Sequence, residues 1–328
     1  MDDPMKIVSI MPRYGDLYAY ENYYVSLKQI TNEVYPFWSD EYIDKKEELQ
    51  KEVIKFVDNI KPTLICFYES IDAFEFTTLD YLKSKYTTFA FFGNDMYCFD
   101  FTRYYAPHLT YAITANKLVL SKYREMGYKN VILSMWAFAG STEDIDFDAI
   151  KYKYDVSFVG RINCYRKWFV NRLKGKGINV ECFGGRWKNG WVSFDEMKKI
   201  FRTSKINLNI PDSDPYDIRF LLSSVKNPYE ALKVKRKAKE IKGRHFEIPG
   251  FGGFQLTNYA PFLGDYFKIG SEVATYASIE DLPAQINYYL DNESERRRIM
   301  INGYKRAINE HTYVCRLKDI FEKMGMPL

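Results

Sequence analysis

A repeated alternation of strand-length apolar runs with stretches of helical periodicity restricts the fold of this chain more than any other feature. Lys6–Met11, Glu33–Phe37, Thr63–Tyr68, Thr88–Phe92, Tyr111–Thr114 and Asn130–Leu133 read as strands. Helical stretches lie between them at Tyr20–Ile30, Tyr42–Asn59, Phe76–Lys83 and Ala115–Met126, the last stopped by Gly127. Strands paced by helices in this way predict a parallel sheet with helices on both faces. Ala139–Ile150 is acidic and aperiodic and reads as a linker. The alternation then resumes, with strands at Asp155–Val159, Asn179–Phe183, Ile206–Ile210 and Phe254–Thr257. The helices of this half are expected at Tyr165–Lys174, Phe194–Thr203, Ile279–Asp291 and from Glu293 to Lys323. At 328 residues the chain is long enough for two cores. The expected fold is therefore α/β with two Rossmann-like domains, 1–140 and 153–310, joined by a linker at 141–152. Ligands in such sheets sit beyond the carboxyl ends of the strands, so two facing domains bring two ligands into one interdomain cleft.

The block Lys242–Tyr259, KGRHFEIPGFGGFQLTNY, carries the densest chemical signal. Lys242, Arg244 and His245 precede a short helical opening at Phe246-Glu247-Ile248. Pro249, Gly250, Gly252 and Gly253 end it within about two turns. A helix start beside basic residues suits an anion such as phosphate. Glu247 is a carboxylate that can accept the hydroxyls of a ribose, or else a residue that favours a helix dipole. Phosphate beside diol points to a nucleotide.

Read with Asp155–Arg161 (DVSFVGR), Ser204–Asn209 (SKINLN), Tyr266-Phe267, Glu280-Asp281-Leu282, Glu295-Arg296, Gly303-Tyr304 and His311-Thr312-Tyr313, this block resembles the carboxy-terminal half of GT-B glycosyltransferases, in particular the spore-maturation CgeB-like group. The elements follow the family's order over roughly 153–316. The amino-terminal half is similar at Phe91–Asp95 and Asn130–Trp136. The resemblance implies a GT-B fold and a last helix, 311–328, that crosses back to the first domain. It also implies transfer of a sugar from a nucleotide-diphosphate sugar of UDP or GDP type. Lys239 stands where the usual partner of the ribose glutamate is expected, with Glu240 one place on, so that partner's role is not carried over.

Composition narrows the alternatives. The formal charge of +4, from 47 basic and 43 acidic residues, is too small to argue for a nucleic-acid partner, and is compatible with anionic small molecules or loose association with a membrane surface. Five cysteines are scattered without a CxxC pair, which suggests reduced thiols and a cytoplasmic protein. No run approaches the roughly 20 apolar residues that span a bilayer. Asp212-Ser213-Asp214 reads as a turn, and the dispersed His108, His245 and His311 make no metal trio, so no metal or other cofactor is expected beyond the nucleotide-sugar co-substrate.

The donor site is expected to comprise Gly160, Arg161, Gly184, Gly185, Arg244, His245, Phe246, Glu247, Gly252 and Gly253. Arg161 and Arg244 are assigned to the diphosphate, with His245 beside it. Gly252 and Gly253 are to let the next strand begin tight against it. Asp95, at the end of the strand TFAFF, is the candidate general base, with Glu69 in reserve. Asn94, Tyr14 and Gly15 are candidates for the acceptor, whether glycan, lipid-linked group or protein. Two rivals stay open: a non-catalytic nucleotide- or glycan-binding protein of the same fold, and a nucleotide-sugar epimerase. Glu247→Gln is expected to weaken donor binding with the thermal midpoint almost unchanged.

Overall fold

The computed structural model describes residues 5–13, 19–68, 71–140, 143–212, 214, 217–233 and 239–326, without the side chains of 230 and 233. The chain divides into two compact units. One holds the residues up to Ala139 and again those from Tyr313, and the other holds Gly140–Thr312.

The first unit is built on β1 (Ile7–Met11), β2 (Val34–Trp38), β3 (Leu64–Tyr68), β4 (Thr87–Phe92), β5 (Tyr111–Thr114) and β6 (Val131–Leu133). They form one parallel sheet in the order β2-β1-β3-β4-β5-β6. Every residue of β1 and β3 is buried, as expected of continuous apolar runs covered on both faces. The helix Lys46–Ile60 contributes Leu49, Val53 and Val57 to the core, and the helix Phe76–Lys85 contributes Leu79 and Leu82. A helix at Asp95–Tyr105 follows β4, where the sequence pattern had indicated none. Its residues, DMYCFDFTRYY, are mostly aromatic, β-branched or acidic, so local propensity conceals it and packing decides it. The last helix, Tyr313–Lys323, belongs to this unit. Tyr313 N–H donates to Phe138 O at 3.1 Å, and Phe321 packs edge-on to Phe89 in β4.

The second unit has β7 (Tyr154–Val159), β8 (Glu181–Phe183), β9 (Ser204–Asn209), β10 (Gln255–Asn258) and β11 (Ala274–Tyr276), again all parallel, in the order β11-β10-β9-β7-β8. Both units thus place the first two strands of a β/α series on one side of the third, a doubly wound arrangement whose order reverses beside the first strand. In the second unit that switch point lies between β7 and β9. The sheet is locked internally by Asn207. Its Oδ1 accepts from Ser157 Oγ at 3.0 Å, and its Nδ2 donates to Phe201 O and Phe254 O at 2.9 and 3.2 Å. The helix Phe194–Thr203 starts in a capping box, with Ser193 and Glu196 satisfying each other's backbone donors. The long terminal helical stretch is two helices, Glu293–Glu310 and Tyr313–Lys323, parted at His311-Thr312.

Candidate functional site

The carboxyl end of β7 gathers several of the expected residues. Gly160 N–H donates to Phe183 O at 2.8 Å, Trp187 Nε1 donates to Gly160 O at 2.8 Å, and Ile162 N–H donates to Gly185 O at 3.1 Å, so the ends of β7 and β8 are stitched together. Gly184 has φ +118° and any Cβ there would stand 2.5 Å from Gly160 O. Only glycine fits this close approach of two backbones. Arg161 is exposed just beyond. From the helix Arg244–Gly250, Arg244 Nε donates to Val159 O at 3.2 Å, and its guanidinium pairs with Glu247 one turn on. Gly160, Gly184, Gly185, Arg244 and Glu247 are therefore brought to one corner of the sheet.

Glu247 is fully buried, whereas the Arg244 side chain remains 30% exposed. One Glu247 oxygen binds Arg244; the other, Oε1, is buried with no hydrogen-bond partner among the described residues. A buried acceptor without a donor costs about 1–3 kcal/mol. The same burial corrects the expectation that Glu247→Gln leaves stability untouched, since the carboxylate anchors a charged neighbour inside the fold.

Other expectations are also corrected. From His245 on, the N–H groups of the helix mouth are used within the fold. His245 N–H donates to Lys242 O, and the Phe246 and Glu247 N–H groups donate to Gly243 O, all at 2.9 Å. Phe246 is wholly buried among Tyr266, Phe267 and His311, and is a core residue. Gly252 and Gly253 lie before β10, at the amino edge of the parallel sheet, whereas Gly160 and Gly184 follow the carboxyl ends of β7 and β8. A Cβ on Gly253 would meet Asn207 Nδ2 at 2.8 Å and Phe201 O at 2.9 Å, so packing of the sheet accounts for that glycine. Gly252, at φ +82°, ends the helix.

His245 cannot serve the diphosphate either. It is buried, its Nδ1 accepts from Lys242 N–H at 3.1 Å, and its Nε2 lies 3.2 Å from Thr257 Oγ1. Thr257 in turn donates to Asn258 O at 3.2 Å, which assigns the ring proton to Nε2. Burial first, and the Lys242 charge in addition, push the imidazole down to about 4. Because the folded value lies below the unfolded one of about 6.5, the neutral ring contributes stability at pH 7 that is lost as pH falls from about 6.5 through 4. The loss is about 3 kcal/mol. Urea unfolding at pH 7 and pH 4 should show His245→Gln losing less stability across that interval than the native chain does; equal losses would remove His245 as the cause.

One residue at this corner, Arg166, was not singled out from the sequence. Arg166 spans the switch point: Nη1 donates to Arg161 O at 3.0 Å, Nη2 to Ile210 O at 3.0 Å, and Asp212 Oδ1 lies 2.8 Å from Nη1. It fixes the loops after β7 and β9. Nothing local in YRKW announces this. Glu240 is nearly buried, with one oxygen on Lys242 Nζ at 2.7 Å and Oε1 buried without a hydrogen-bond partner among the described residues. Asp212 and Asp214 face Arg166 and Lys239, and Ser213 lies outside the described residues. Among the described residues no cluster of three or more His, Cys, Asp or Glu is placed to hold a metal ion.

In the first unit a cavity of about 270 Å³ opens at the carboxyl end of β4. Its walls include Phe91, Phe101 and Trp136, and its polar edge includes Asp72, Asn94 and Asp95. Gly93 leaves room for the Trp136 ring, which would lie 2.4 Å from a Cβ. Asn94 stands at the N-cap position of the helix Asp95–Tyr105, and Asp95 is its buried first residue. Asn94 and Asp95 thus share one cavity. Tyr14, Gly15 and Glu69 lie outside the described residues.

Solved structures share this architecture over nearly the whole chain. The HepE protein of Anabaena, crystallised with UDP and glucose, is 9% identical and superposes with a TM-score of 0.62, covering 98% of this chain and 99% of its own. Sucrose-phosphate synthase of Thermosynechococcus elongatus is 7% identical with a TM-score of 0.63, covering 98% and 99%. The fold is that of the GT-B glycosyltransferases. A Listeria monocytogenes protein described as a UDP-N-acetylglucosamine 2-epimerase shares the fold too, at 10% identity, a TM-score of 0.53 and 99% coverage of both chains. Residues 166–322 match the family model for glycosyl transferase-like proteins, a span that contains Arg166, Arg244 and Glu247. No curated protein is similar enough in sequence to match. Among the described residues no helix is long and apolar enough to cross a membrane.

Proposed function

We propose that this chain transfers a sugar from a nucleotide-diphosphate sugar to an acceptor hydroxyl. The observation that carries the reading is the buried Glu247, paired with Arg244 beside the carboxyl end of β7 and left with one unsatisfied oxygen, inside the span that matches the glycosyl transferase-like model. The donor's ribose hydroxyl supplies the missing hydrogen bond, and Arg244 swings outward to reach the diphosphate. Arg161 adds a second guanidinium at the same strand end. The two cations stabilise the leaving nucleotide diphosphate without a metal. UDP is the favoured nucleotide, as HepE of the same fold was crystallised with it. Membership of the CgeB-like group is the finer family reading, supported by the order of motifs from DVSFVGR to HTY.

The acceptor enters at the cavity of the first unit. Aromatic walls with a carboxylate and an amide at the edge match a sugar ring, which has an apolar face and a hydroxyl rim. Asp95 removes the acceptor proton if the reaction inverts the sugar.

Incubation with UDP- and GDP-linked sugars in the presence of EDTA tests the assignment: nucleotide diphosphate is released, slowly with water alone and faster with acceptor. Binding without release would instead identify a non-catalytic nucleotide binder. Epimerisation is the second reading, favoured by the fold shared with the Listeria protein; it predicts a changed nucleotide sugar with no acceptor present.

A further inference from the structure

Trp191 stands at the end of the loop that follows β8, and it is 80% exposed while the other four tryptophans are buried or half-buried. A tryptophan left in water forgoes a large apolar burial. Its ring is nevertheless held in place. Gly184 N–H donates to Gly190 O at 2.7 Å, Trp187 N–H to Gly184 O at 3.1 Å and Gly190 N–H to Trp187 O at 3.0 Å, so residues 184–190 form a closed turn that leads into Trp191. Asn189 Nδ2 ties the turn to Cys182 O in β8 at 3.1 Å. The indole lies along Gly185, where a Cβ would stand 3.0 Å from its Cζ2 and 3.3 Å from its Nε1. Arg186, inside the turn, is held at φ +71°, a left-handed conformation that residues with a Cβ rarely adopt and that gathers at ligand sites.

The position of the ring gives it a use. Gly185 O, on the backbone beside the indole, accepts from the N–H of Ile162, the residue after Arg161. The ring is therefore one hydrogen-bonded step from the turn that carries Arg161, at the carboxyl ends of β7 and β8, where doubly wound sheets place their ligands. Arg244, paired with Glu247, bonds Val159 O at the end of β7. The end of β8 is one strand spacing away, about 4.8 Å. We propose that Trp191 is the platform on which the donor's nucleobase stacks. The inference rests on the donor site proposed above and supplies the part of it that meets the base. With the pentose at Glu247 and the diphosphate at Arg161 and Arg244, the base is the one flat π-system left in a nucleotide sugar, and an indole face matches it. Such a stack accepts any base, so it secures the nucleotide more than it selects one. A second copy of the chain fits less well, since one indole covers far less area than a stable interface buries.

Titration calorimetry of the full chain with UDP and GDP tests the platform, with inorganic pyrophosphate as a probe that lacks a base. Trp191→Ala should weaken whichever nucleotide the native chain binds more tightly by about five- to a hundredfold, and Trp191→Phe, which keeps a ring, by less than about fivefold. Pyrophosphate affinity should be equal in the native chain and both variants. Tryptophan fluorescence should be quenched when nucleotide is added, and most of that change should vanish in Trp191→Phe. Because the side chain is 80% exposed, both variants should keep the native thermal midpoint. Equal nucleotide affinity in the native and Trp191→Ala chains overturns the platform and leaves the donor site standing. A native chain that binds neither nucleotide overturns both. A loss that pyrophosphate shares equally makes Trp191 a support of the loop, and a dimer that Trp191→Ala dissociates makes it an interface residue; either result overturns the proposal.

Discussion

Glu247→Gln is expected to weaken binding of the nucleotide diphosphate and of its sugar conjugate by ten- to a hundredfold. A hydrogen bond to a charged group contributes about 1.5–3 kcal/mol, and each 1.4 kcal/mol is about tenfold in affinity. Under the proposed function Glu247 accepts from the donor, since one of its oxygens is unsatisfied in the fold and the other is held by Arg244. Glutamine keeps the shape and can still accept from Arg244, but it loses the charge that strengthens both bonds. Stability should fall on the order of 1 kcal/mol, so titration calorimetry well below the thermal midpoint separates lost binding from lost folding. Arg244→Lys tests the other half of the pair: lysine lacks the fork that serves Val159 O and Glu247 together. Equal affinity in native and Glu247→Gln chains would reduce this carboxylate to a structural partner of Arg244.

How much of this corner was legible in the sequence follows from the kind of contact involved. The strands that are long and continuously apolar, such as IVSIM and LICFY, stand where periodicity put them. β11, ATY, lacks the apolar run that marks the other strands, and the helix Asp95–Tyr105 is written in residues that disfavour helices. Arg244 and Glu247 were visible because they are one turn apart in a glycine-bounded block. Arg166 was not, since its role depends on carbonyls at Arg161 and Ile210 that only folding brings together. His245 and Phe246 were misread for the converse reason. Sequence shows that they adjoin a basic entry, but not that both rings turn inward, His245 to Thr257 and Phe246 to Phe267. Glycine is ambiguous in the same way. Gly184 and Gly253 both permit close approach, yet what approaches is the protein's own backbone or side chain, Gly160 O in one case and Asn207 with Phe201 in the other.

Asp95→Asn is expected to produce the largest change, a fall in kcat of roughly a hundred- to ten-thousandfold, the range that a positioned general base contributes. Donor affinity should stay near that of the native chain, because the proposed donor corner belongs to the other unit. Asparagine is nearly isosteric and keeps the helix start, so the buried position should tolerate it. The competing role for Asp95 is to favour the first turn of its helix, an effect of about 0.3–1 kcal/mol. In that case kcat changes less than tenfold while the thermal midpoint drops, and the proton must then be taken by another group. Asp72, on the same cavity edge, is the next described carboxylate to replace.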